Sequence, residues 1–485
     1  MAGPKVDIGR DLVAFVAAQS AYSITDTAGE SYPEAADAVR VIGGSGSGTI
    51  AYVPREDKLG TATAVPGIAQ KKTAEASIEG YVMPSGTRTT APDIDEMLTT
   101  SGWTKVDRSA TTTTSGASST AHVLDCTSVS GFENGDAIIV ETSATSELYE
   151  MRRIVSIYAP SDQITVEPPL TFTPATGANI KGAIAFKPKA TRDTSEDALC
   201  LWLLNNNSAD RIGGWTPGSM SFTQGGEDAA RFTCSGTGRR HDRLFQTLLG
   251  AELATGGSSV SITVDQGLAS SGALVNTYWN FNDGATTTET VKLTAISGAT
   301  WTVTRAQLGT SDPGTAWAVG TKVLPYRPTG TYAGAPVPAT SGQIAAAAYG
   351  EATAISLQCN SSTLDCGFGL NYREDEHGSA FKNAGYTMAQ REVTATLSGW
   401  TLYEANMLLE MQAFQTTNVA GGSSQQVSVA VVTGETEGSM FGWVAPRIRM
   451  TDVSLDRGSD EVTLELTGQC EGTTSGADEI LLMFG

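Results

Sequence analysis

The stretch AEASIEGYVMPSGT at 74–87, followed by APDIDEMLTTSG at 91–102, decides how this chain reads. Ala76, Ile78, Gly80 and Val82 alternate with polar residues, the period of a half-buried strand. Pro84 and Ser85-Gly86-Thr87 end that strand, and a helix is expected next. Thr90 or Ala91 can cap it, Pro92 fits its first turn, and Asp93, Asp95 and Glu96 suit its positive N-terminus. Ile94, Met97 and Leu98 make one apolar face, and Gly102 is the stop. The acidic trio reads as dipole pairing in preference to a metal site.

The plan recurs. EDAARFTCSGT at 227–237 gives a second strand and turn, and RRHDRLFQTLLG at 239–250 reads as a second helix. Its apolar face is Leu244, Phe245, Leu248 and Leu249, with Gly250 as the stop. Its first turn is basic (Arg239, Arg240, His241, Arg243) where the first copy is acidic, which would suit a neighbour-to-neighbour contact. A third echo leads from 395–400 into a helical stretch at 402–414 with a Leu402, Ala405, Leu408, Leu409 stripe. A chain that repeats one module repeats one surface and is built to pack against copies of itself.

Two β-rich inserts follow the copies and resemble each other. Glu150 aligns with Glu289, Ile157 with Ile296, Val166 with Val303, and Gly177 with Gly320. Both close on an aromatic, a basic residue and a proline, Phe186-Lys187-Pro188 and Tyr326-Arg327-Pro328. Alternating strands and short turns predict two small β-barrels or sandwiches grafted at corresponding places. The Gly43-Gly44-Ser45-Gly46-Ser47-Gly48 segment lacks the Lys and Ser/Thr that end a phosphate loop, and reads as a mobile loop or hairpin tip between strands at 39–42 and 50–54. A Gly/Ala/Pro-rich linker is expected at 329–349. Strands are expected after it at 354–357, 392–397, 426–432, 447–453 and 462–466.

At 485 residues the chain is long for one core, and two to four compact units are expected. Gly, Thr, Ser and Ala dominate, and 17% of residues are charged, which favours a mainly β architecture. The net charge of −21 argues against gripping a nucleic-acid backbone and suits a surface that nucleic acid slides past. The apolar run at 12–18 follows Asp7, Arg10 and Asp11, a poor signal peptide, and no run approaches the length of a membrane helix. Cys126, Cys200, Cys234, Cys359, Cys366 and Cys470 form no CxxC pair, and with His122, His241 and His377 give no zinc pattern. They read as buried thiols, with Cys359 and Cys366 able to face each other across a hairpin.

Catalytic templates fail. There is no Gly-x-Ser-x-Gly elbow with partners, and no HExxH. Asn280-Phe281-Asn282-Asp283-Gly284 hints at a calcium loop, but Trp279 and Thr290 would occupy its end ligand positions. His241-Asp242 and Glu374-Asp375-Glu376-His377 lie in polar runs typical of solvated turns. No catalytic, cofactor-binding or metal-ligating residue is nominated, no cofactor is expected, and the chain is not expected to be an enzyme.

The segments at 76–87, 91–98 and 101–103, with Gly213-Gly214-Trp215-Thr216-Pro217 to Gly236 and Gly442-Trp443-Val444-Ala445-Pro446, resemble the major tail tube proteins of long-tailed bacteriophages. The resemblance touches the non-insert two-thirds of the chain, and its motifs are short and structural. It implies a β-sandwich flanked by a helix. Such subunits form rings whose inner sheets join into a continuous β-barrel, and the rings stack into a tube for the genome. It implies no catalytic residues. Most members have one tube module, whereas this chain reads as two, so three chains forming a pseudo-six-fold ring are favoured slightly over six. The partition expected is tube module at 1–104, insert at 105–188, second copy at 189–254, insert at 255–328, linker at 329–349 and the rest of the tube module at 350–485. The implied partners are further copies of the chain, other tail proteins such as tape measure and terminator, and DNA that transits without specific binding. The implied location is the virion, with no membrane, after synthesis in the host cytoplasm. The rivals are a tail-tip, baseplate or capsid-decoration component, or a carbohydrate-binding adhesive protein with Tyr278, Trp279 and Trp317 as a sugar platform.

Overall fold

The computed structural model describes residues 11–19, 32–53, 68–116, 118–143, 146–190, 197–225, 228–265, 274–283, 288–357, 359–374, 376–400, 426–456, 463–472 and 476–485. The chain is mainly β, with one short α-helix, α1 (Asp95–Thr100), among the described residues. That helix lies where the sequence places it and buries Met97 and Leu98.

Sixteen strands carry one pairing scheme twice. The first repeat is β1 (Val13–Gln19), β2 (Ala38–Val39), β3 (Gly43–Val53), β4 (Ile68–Tyr81), β5 (Ala198–Leu204), β6 (Ser208–Gly225), β7 (Arg231–Gly238) and β8 (Arg240–Phe245). The second is β9 (Gly342–Ala348), β10 (Ile355–Leu357), β11 (Cys359–Gly367), β12 (Glu392–Trp400), β13 (Val427–Thr433), β14 (Phe441–Asp456), β15 (Thr463–Cys470) and β16 (Leu481–Phe484). In the first, β1 pairs with β2 and β5, β6 with β5, β7 and β8, and β4 with β3 and β7. Adding eight to each label gives the pairings of the second. The register shift between Pro217 and Ser219 on β6 recurs between Met450 and Asp452 on β14.

The long strands β6 and β14 belong to two layers each. Their C-terminal halves lie in one inner sheet of order β3-β4-β7-β6-β11-β12-β15-β14, in which β6 pairs directly with β11 and so joins the repeats. Their N-terminal halves lie in two outer sheets, β2-β1-β5-β6-β8 and β10-β9-β13-β14-β16. Strands Ile184–Pro188 and Trp103–Val106 extend the second outer sheet beyond β16. Between the layers runs one apolar core, including Ile78, Phe222, Phe232 and Leu364 from the inner sheet and Val16, Leu201, Val429 and Trp443 from the outer ones. Burial of such large side chains, at roughly 1.5–3 kcal/mol each, is the main force holding the layers together.

The inserts are six-stranded sheets with the same strand order. The alignment read from sequence holds. Glu150 and Glu289 are each the second residue of a ten-residue strand, Ile157 and Ile296 the ninth, and Gly177 and Gly320 both sit at positive φ, 85° and 83°. They are not at corresponding places, however. The first interrupts the β4–β5 connection, and the second follows β8 between the repeats. Each packs on an outer sheet. Trp279, Phe281 and Val303 of the second insert meet Phe15, Trp202 and Leu244 of the first repeat. Ile139, Tyr149 and Met151 of the first insert meet Val432, Val444 and Met483 of the second repeat.

Several expectations are corrected. The second helix, at 239–250, is instead β8 and the strand Thr247–Leu248. A helix would have set four cationic or imidazole side chains at its positive end. As a strand three of them meet acids, Arg243 and His241 on Asp210, and Arg240 on Asp242 at 2.6 Å. The glycine-rich segment is no loop but most of edge strand β3. There Gly46 and Gly48 let β3 lie close to the outer sheet, since a Cβ would stand 2.8 Å from Ile212 and 2.7 Å from His241. The linker at 329–349 contains β9, whose small alanines pack against β13. Cys359 and Cys366 share β11, so they do not face across a hairpin. All six thiols are free, and burial pushes Cys359 up to about 11. The expected helix at 402–414 lies outside the described residues.

Candidate functional site

The inner sheet buries one face and shows the other, and the exposed face is a regular polar surface. Strand periodicity generates it. On β4, Ala74, Ala76 and Ile78 are buried while Glu75, Ser77 and Glu79 point out. Cross-strand register then aligns hydroxyls in rows. Ser45, Ser77, Ser235 and Ser219 stand opposite one another on β3, β4, β7 and β6. Thr223, Thr363, Thr396 and Thr467 do so on β6, β11, β12 and β15, across the joint between the repeats. Adjacent hydroxyls bond within the rows, Ser45 with Ser77 at 3.0 Å and Thr396 with Thr467 at 3.3 Å.

Charges are sparse here and lean acidic. Glu75, Glu79, Asp365, Glu392, Asp452 and Glu465 stand against Arg231 and Arg449. Arg231 is held by Asp228 and Glu79, and Arg449 by Glu471 at 2.8 Å. Among the described residues such a face offers many weak hydrogen bonds and no cluster of free cations to hold a phosphate backbone.

Both ends of the inner sheet are open among the described residues. β3 pairs only with β4, and the C-terminal half of β14 only with β15. Unpaired strand edges are templates for addition of another chain.

The residues singled out from sequence fall elsewhere. Asp93 accepts the Arg40 backbone N–H at 3.2 Å, and burial raises its carboxyl to about 6. Asp95 contacts Lys105. His241 bonds Asp210 at 3.0 Å and Asp242 bonds Arg211, within the outer sheet of the first repeat. Glu374 meets Lys382 at 3.3 Å, Glu376 meets Arg373, and Asp375 lies outside the described residues. Among the described residues no group of three or more His, Cys, Asp and Glu could hold a metal ion, and no helix is long and apolar enough to cross a membrane. The sugar platform is not on the surface. Trp279 is 1% and Trp317 3% exposed, and Tyr278 stacks on Tyr32.

Sequence reading also missed two buried ion pairs at the aligned glutamates. Glu289 takes Arg305 through two nitrogens at 2.8 and 2.7 Å and the Trp317 indole at 2.8 Å. Glu150 takes Arg152 at 2.7 Å. The shared glutamate was legible; its partners were not, because Arg152 sits two residues along the same strand and Arg305 just beyond the following one. No protein-family model matches the chain, and no curated protein matches it.

Proposed function

We propose that the chain is a structural subunit of a phage-type tail tube, assembling head to tail into rings whose joined inner sheets line a conduit for DNA. The observation that carries this is the β6–β11 pairing. The chain already contains one module-to-module joint of the kind a ring needs, with an open edge of the matching type at each end. Inside the chain, Ser219, Ser221 and Thr223 stand opposite Gly367, Asp365 and Thr363. Transferring that register to the free ends sets Asp452, Ser454 and Asp456 opposite Thr49, Ser47 and Ser45 of the next copy. Head-to-tail contacts that close make rings and leave no sheet edge exposed. The hydroxyl rows then face the bore, where a weakly acidic wall lets a polyanion pass without holding it. Two repeats per chain favour three copies per ring. The chain does no catalysis in this reading.

Negative-stain electron microscopy at rising concentration tests it. Rings with a central hole and a three-fold modulation are expected. A monomer at every concentration, with amide exchange along β3 and β14 unchanged, overturns the reading.

A further inference from the structure

The two repeats differ at one outer edge, and that difference points to a second contact between copies. In the second repeat, β16 is the last strand of the shared scheme, yet it is not a free edge. Residues from the first repeat's β4–β5 connection reach across and pair with it, Ile184 opposite Phe484 and Phe186 opposite Leu482. Phe484 is 3% exposed and stacks edge-on against Phe186 with ring centroids 5.8 Å apart. The corresponding strand of the first repeat is β8, where Phe245 opposite Ser208 takes the place of Phe484 opposite Phe441. Among the described residues nothing pairs with the far side of β8, and Phe245 is 43% exposed.

We propose that β8 receives an added outer strand from a neighbouring copy, as β16 receives Ile184–Pro188 within the chain. The inference rests on the ring reading and goes one step further. If each joint repeats the β6–β11 joint, the neighbour that pairs its β14 with β3 also brings its second repeat against β8. Each contact between copies is then a double strand addition, one on the inner sheet and one on the outer. The partner is a second copy of this chain, recognised mainly through main-chain hydrogen bonds. The charges of β8 do not bar it, because Arg243 and His241 are met by Asp210, and Arg240 by Asp242, inside the same chain. The donating strand should be polar where Ile184–Pro188 is apolar, since β8 carries Asp242 and Arg243 where β16 carries Leu481 and Leu482.

The geometry says which amides to watch. The Gln246 N–H bonds Asn207 O just before β6, so by strand alternation the N–H groups of His241, Arg243 and Phe245 point to the open side. Hydrogen exchange of the full chain, below and above the concentration at which it assembles, reads them directly. The expected result is at least ten-fold slower exchange at these three amides on assembly, alongside slowing along β3, while the amides of Leu482 and Phe484 are slow throughout. Slowing along β3 alone, with rings present, overturns the outer contact and leaves the ring reading standing. No rings and no slowing anywhere overturns both. Phe245→Pro removes one outward N–H without touching the β6 pairing. It should raise the concentration needed for assembly at least ten-fold with unchanged far-ultraviolet circular dichroism. Unchanged assembly by that variant also overturns the proposal.

Discussion

The two repeats share one strand-pairing scheme and little of their side-chain filling, and the corresponding strands β3 and β11 show this most clearly. Where β3 has Gly44, Gly46 and Gly48 turned toward the outer sheet, the corresponding positions of β11 hold Ser362, Leu364 and Cys366. β11 is flanked on both sides by its own chain, and its inward side chains are buried. Among the described residues β3 pairs with one strand, and it is thin. What is duplicated is a backbone scheme; how thickly each edge is packed follows from whether the chain itself supplies the next strand.

That contrast can be broken most severely at Leu364. Leu364→Ala empties a fully buried position at the joint between repeats and should cost about 2–5 kcal/mol, read as the shift in the urea midpoint. The reciprocal change, Gly46→Leu, gives β3 the side chain of its counterpart where Ile212 already stands 2.8 Å from a Cβ. It should cost about 1–3 kcal/mol. A neutral Gly46→Leu would show that β3 is thin for no packing reason.

Two carboxylates sharpen the comparison through pH. Asp93 accepts a backbone bond from Arg40, just before β3, and burial raises its carboxyl to about 6, above its ordinary value. A raised folded-state value means the folded chain keeps its proton longer, so stability falls as pH rises from about 4 to about 6 and stays lower above that. Asp93→Asn should recover about 2 kcal/mol at pH 7 and flatten that slope in thermal melts taken across the window. Glu437 in the second repeat runs the other way. Burial pushes it up, but hydrogen bonds from Lys181 and Arg88 bring it below the usual carboxylate range. Its contribution is present above the ordinary carboxylate value and is lost as pH falls through the depressed one. Because it is partly exposed, Glu437→Gln should cost at most about 1 kcal/mol at pH 7 in the same melts.

The mainly β character and the kinship of the inserts were legible because both rest on local alternation and turn glycines. The strand at 74–81 and helix α1 were legible for the same reason. The duplication was visible only as a misplaced echo. Arg239 to Gly250 has helical spacing at Leu244, Phe245, Leu248 and Leu249, and only the partner strand β6, with Asp210 opposite Arg243, turns that run into β-structure. β3 was hidden because glycine and serine carry almost no strand preference; the ladder to β4 supplies it. The hydroxyl face is a property of register, Ser45 beside Ser77 beside Ser235, and residues nearly two hundred positions apart show no pattern until they are paired.

Strands β6 and β14, at 18 and 16 residues, each run without interruption from the inner layer into the outer one. An outward push on the inner sheet is therefore delivered to the outer sheets along covalent bonds, and the packed core between them is spared the shear.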